Sequence, residues 1–92
     1  MLYNITYELK NNEKDYSSFF QTLKTLSPNT NQCMKNSWFV ITSSSKQVLY
    51  EQLKALLESS DLLLISQVSL SQLSGWLPSD SVNWLQEHSN DI

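Results

Sequence analysis

The stretch Leu2-Tyr3-Asn4-Ile5-Thr6-Tyr7-Glu8-Leu9 constrains this chain more than any other. Tyr3, Ile5, Tyr7 and Leu9 share one face, and Leu2, Asn4, Thr6 and Glu8 share the other. A period of two, carried by aromatic and β-branched residues, predicts a strand with one face packed on a core. Its last polar-face residue, Glu8, meets the polar loop Lys10-Asn11-Asn12.

A strand needs something to pack against, and the next segment supplies it. Asp15 offers a helix cap, because its carboxylate can accept the free amides of a first turn. Tyr16, Phe19, Phe20, Leu23 and Leu26 then recur at helical spacing. Ser27-Pro28-Asn29 stops that helix. Gln32-Cys33-Met34 reads as a short edge strand, and Ser37-Trp38-Phe39-Val40-Ile41-Thr42 as a strand covered on both sides. A tight turn at Lys35-Asn36 makes the two a hairpin. Ser43-Ser44-Ser45 offers hydroxyl caps for a second helix with the stripe Leu49, Leu53, Leu56 and Leu57. After Ser59-Ser60-Asp61, Leu62 to Val68 reads as a buried strand.

The order strand, helix, strand, strand, helix, strand predicts an α+β, ferredoxin-like βαββαβ domain over residues 1–68. Right-handed crossovers place both helices on one sheet face. The other face would carry Glu8, Leu2, Trp38 or Phe39, and alternate residues of Leu62–Val68. So apolar a face calls for a cover. Two covers are open: a second copy of the chain, or the extension 69–92. That extension holds Leu70, Leu73, Trp76, Leu77, Val82, Trp84 and Leu85. Leu70–Leu73 is read as a fifth strand, and Pro78-Ser79-Asp80 as the start of a terminal helix through Glu87.

Composition narrows function by exclusion. The chain has 92 residues and one domain's worth of core, with 40% hydrophobic and 16% charged residues, which argues against disorder. Net charge is −3, and all six basic residues are lysine. Broad phosphate binding needs clustered cations, and the bidentate arginine fork is missing. A single glycine leaves no Gly-rich phosphate loop. Cys33 stands alone, so the reading is a reducing, cytoplasmic setting. The beginning of the sequence lacks signal-peptide character, and the longest apolar run, Leu62–Ile65, is far short of the ~20 residues that span a bilayer.

The pieces Tyr7-Glu8-Leu9, Asp15-Tyr16, Ser37-Trp38-Phe39-Val40, Asp61-Leu62-Leu63-Leu64-Ile65, Gly75-Trp76 and Trp84-Leu85 form an ordered set across nearly the whole chain. In that order and spacing the sequence resembles the small CRISPR-associated adaptation protein family (the second Cas protein) and a compact SinR-like group. The resemblance implies a homodimer with open sheet faces together, and a C-terminal strand reaching the partner's sheet. It extends to the virulence-associated ribonucleases. There, an Asp ending the first strand meets its twin near the dimer axis and holds a divalent metal for phosphodiester cleavage. Here that position is Glu8, which the resemblance makes both the catalytic residue and the metal ligand, with Mg²⁺ or Mn²⁺ as the ion. The family's aromatic and histidine-rich loop is replaced by Asn29-Thr30-Asn31-Gln32-Cys33-Met34.

Read from chemistry alone, Glu8 is either such a ligand or a solvated, lysine-paired acid. Asp15 reads as a cap and Asp61 as a turn residue. His88 lacks partners for a zinc site. Cys33, without a nearby histidine, reads as apolar filler. Tyr3, Tyr7, Trp38, Trp76 and Trp84 read as core or dimer interface before they read as base-stacking platforms. Lys10, Lys14 and Lys35 read as solvated loop cations. Three functions follow: a metal-dependent endonuclease of RNA or DNA, a catalytically silent dimeric adaptor for another protein, and a nucleic-acid clamp.

Overall fold

The computed structural model describes residues Met1–Ile92. Its elements are β1 (Leu2–Glu8), α1 (Ser17–Thr25), β2 (Asn29–Met34), β3 (Ser37–Ile41), α2 (Lys46–Lys54), β4 (Leu62–Val68), a 3₁₀ turn at Leu70–Gln72 and α3 (Ser79–Glu87). The fold is α+β. Its four strands lie in the order β2-β3-β1-β4 with every pairing antiparallel, an arrangement compatible with the ferredoxin-like fold.

The alternation in β1 decides which way the sheet faces. Ile5 and Tyr7 pack with Phe19 and Leu23 of α1, Leu53 of α2, and Trp38 and Val40 of β3. Burying each such side chain contributes about 1.5–3 kcal/mol. Tyr7 meets Phe19 edge-on at 5.0 Å between ring centroids, and its hydroxyl accepts the Trp38 indole N–H at 3.1 Å. A polar tip inside an apolar layer is thereby satisfied.

Caps fall close to their sequence signals. Ser45 Oγ accepts the Val48 N–H at 3.3 Å at the start of α2. Asp15 sits one residue outside the cap of α1, where Oδ1 accepts the Ser17 N–H at 2.9 Å. The edge strand β2 is longer than Gln32–Met34: it begins directly after Pro28 and carries a bulge between Gln32 and Met34.

The second sheet face carries its own core. Leu2, Cys33, Phe39 and Ile41 pack with Leu85 of α3, flanked by Val68, Leu70, Leu73, Leu77 and Trp84. Phe39 occupies this face, while Trp38 points to the helices. Phe39 and Trp84 stack at 6.4 Å between centroids. The extension thus lies on its own sheet. The reading of Leu70–Leu73 as a fifth strand is corrected: the Gln72 N–H donates to Ser69 O and the Leu73 N–H to Leu70 O. A three-residue repeat superposes Leu70 and Leu73, and both then reach the second core. A strand would split them between faces less economically for burial. The expected terminal helix spans Ser79–Glu87.

Candidate functional site

Register shows how much of the second face the extension covers. Across the sheet, Val68, Leu2, Ile41 and Asn29 form one row, and Ser66, Asn4, Phe39 and Asn31 the next. Leu2, Phe39 and Ile41 are buried there. The following row is Leu64, Thr6, Ser37 and Met34, and the last contains Leu62 and Glu8. In these rows Leu64 is 65%, Met34 56% and Leu62 54% exposed, so apolar side chains stand bare on the two edge strands, with Thr6, the buried Ser37 and Glu8 between them.

A polar seam of Asn4, Thr6 and Ser37 runs through the central strands into the row of Leu64 and Met34. Asn4 Nδ2 donates to Ser37 Oγ at 2.8 Å and to Trp38 O at 3.2 Å. Thr6 Oγ1 donates to Asn4 Oδ1 at 3.1 Å and lies 3.3 Å from Ser37 Oγ. These groups satisfy one another, which is how polar atoms persist in an apolar surround.

Glu8 ends β1 in the last row, and its carboxylate is 3.1 Å from Lys10 Nζ, with both side chains about half exposed. A spacing of two places both on one side of an extended chain. Such an exposed pair contributes about 0–1 kcal/mol. The loop that presents Lys10 is fixed by Asp61, which is buried. Asp61 Oδ1 accepts the Lys10 N–H at 2.8 Å, Oδ2 accepts the Glu58 N–H at 2.9 Å, and the Tyr16 hydroxyl donates at 2.8 Å to Oδ1. Desolvation works against the Asp61 carboxylate, but the donors from Glu58, Lys10 and Tyr16 outweigh it and hold its pKa below the ordinary range. The Tyr16 hydroxyl moves the other way, raised by desolvation and by the bond to Asp61.

The remaining candidates disperse. Lys14 Nζ donates to Leu56 O at 3.0 Å and lies over the Tyr16 ring, so it does not join Lys10. Cys33 is buried, and desolvation raises its thiol pKa. His88 Nδ1 lies 3.0 Å from Asp91 Oδ2, at the end of α3. No three His, Cys, Asp or Glu side chains come together as a metal-ligand group. Glu8 offers a single carboxylate, already paired with an ammonium; Mg²⁺ keeps most of its roughly six oxygen ligands as water and is held by one or two carboxylates. Among the aromatic side chains, Tyr3, Tyr7 and Trp38 are buried, whereas Trp76 is 99% exposed.

No protein-family model matches this chain, and no curated protein is significantly similar to it. The site is therefore read from its own chemistry. Sequence reasoning missed Asp61 as a three-element tie and the exposure of Met34, and the reading of Leu62–Val68 as a buried strand is corrected: β4 is an edge strand with no buried residue. Asp61 carried only a turn signal, because two of its partners are backbone amides. Met34 lies beyond a bulge, which shifts the alternation of β2. No helix is long and apolar enough to cross a membrane.

Proposed function

We propose that this protein is a homodimeric, ferredoxin-like interaction module of the cytoplasm, which holds another protein and catalyses nothing itself. The observation that carries this reading is the exposed apolar side chains beyond the extension, Leu62 and Leu64 on β4 and Met34 on β2, which flank the polar Thr6 and Ser37. An apolar surface of this kind gains by exclusion of water, and a second copy supplies a matching patch by symmetry. The acidic balance of the chain favours a protein partner over a polyanion. Light scattering at micromolar concentration should give twice the chain mass, and Leu64→Lys should return the monomer with its fold intact. A stable wild-type monomer would overturn the reading.

A second reading rests on the position of Glu8. It lies in the same row as Leu62. Two copies joined with their axis beside this end row would bring two carboxylates together there. This supports the metal-dependent endonuclease that the family resemblance implies, with Glu8 as ligand. Purified protein incubated with RNA or duplex DNA and Mg²⁺ or Mn²⁺ tests it. Cleavage should vanish in Glu8→Gln and persist in Lys10→Ala; cleavage that survives Glu8→Gln removes this residue from the chemistry.

A further inference from the structure

Trp76 stands fully in solvent at the rim of an open apolar groove. The groove has a volume of about 620 Å³ and runs between the 3₁₀ turn, α3 and the sheet. Met34, Phe39, Leu73, Leu77 and Val82 line it, with Asn4 of the polar seam at its edge. None of its lining residues is charged, although the chain carries a net charge of −3. Two copies meeting here bring no like charges together, although each is acidic overall.

Resting on the self-association reading above, we infer that the dimer closes by reciprocal docking, with Trp76 of each copy seated in the groove of the other. A two-fold interface uses the same patch twice, so a projection and a hollow side by side on one patch satisfy each other in a single closed pair. Trp76 and the groove are such a projection and hollow. The two indoles alone would bury roughly 300–500 Å². A stable interface takes about 1,200–2,000 Å² in total, so the groove walls, Met34 among them, and the exposed Leu64 across the polar seam must add the remainder. The composition also fits: an exposed Trp and Met with no charge at the centre is what interface cores favour.

Sedimentation equilibrium across a wide concentration range, with tryptophan fluorescence recorded alongside, tests the inference. Wild type should dimerise, with a blue shift that is lost in Trp76→Phe because the moving fluorophore is gone. Trp76→Ser should weaken dimerisation by about 100-fold or more while leaving circular dichroism unchanged, since buried tryptophan anchors dominate interfaces. Val82→Glu, on the groove wall, should act likewise. A wild-type dimer broken by Leu64→Lys but unaffected by Trp76→Ser and Val82→Glu overturns reciprocal docking and leaves the self-association reading standing. A wild-type monomer at all concentrations overturns both. Quenching of Trp76 by a single-stranded oligonucleotide, without dimerisation, also overturns the inference and points to base stacking.

Discussion

At the scale of single residues, Asp61 ties together more of the chain than any other polar group. Its carboxylate joins the loop after β1, the start of α1 and the turn before β4. Hydrogen bonds to a charged acceptor are worth about 1.5–3 kcal/mol, so Asp61→Ala should lower the unfolding free energy by about 2–4 kcal/mol in urea titration. Because its folded pKa lies below the unfolded value, the stabilisation is complete above about pH 4 and disappears as pH falls through the lowered folded pKa. Acid titration followed by circular dichroism should therefore show wild type and Asp61→Asn converging in stability at the acid end. The turn position of Asp61 was legible in the sequence. Its partners were not, because a backbone amide carries no residue signature and Lys10 lies 51 positions away. Glu8 was legible as an acid ending the polar face of β1, and the alternative of a lysine-paired acid describes its contact with Lys10.

Among the elements, β1 and α1 were readable because each has one dominant period of apolar residues, and β3 because it is a short bulky run buried on both faces. β2 was only half readable: Asn29-Thr30-Asn31 has no apolar alternation, and its pairing comes from β3 beside it. The path of the extension was readable as a choice between two sheets, and α3 packs on its own. Leu85 anchors it at 9% exposure, so Leu85→Ala should cost about 2–4 kcal/mol by thermal or chemical unfolding. Cys33 reports on the same contact. It is buried in the second core with a raised thiol pKa, so little thiolate exists at neutral pH. A thiol reagent should modify it slowly in the intact protein and far faster in Leu85→Ala, where α3 is loosened.

For the whole molecule, the helices cover one side of the sheet except at the edge residues Gln32 and Gln67, and the extension covers the other side in part. The free edge strand β4, Leu62–Val68, has no charged residue and no proline along its length. Natural edges usually carry such groups to discourage strand addition. Leu64→Lys introduces one at a 65% exposed site, where substitution should change stability by no more than about 0.5 kcal/mol. The variant should also resist aggregation on prolonged incubation, read as lower turbidity than wild type.

The linked side chains of Asn4, Thr6 and Ser37 give that partly covered face a grain. Oily surfaces alone slide past one another at little cost. A hydrophilic ridge among them acts as a detent: any partner that settles there must leave space or offer hydroxyls along one line. Alignment, more than grip, is what this small ridge contributes.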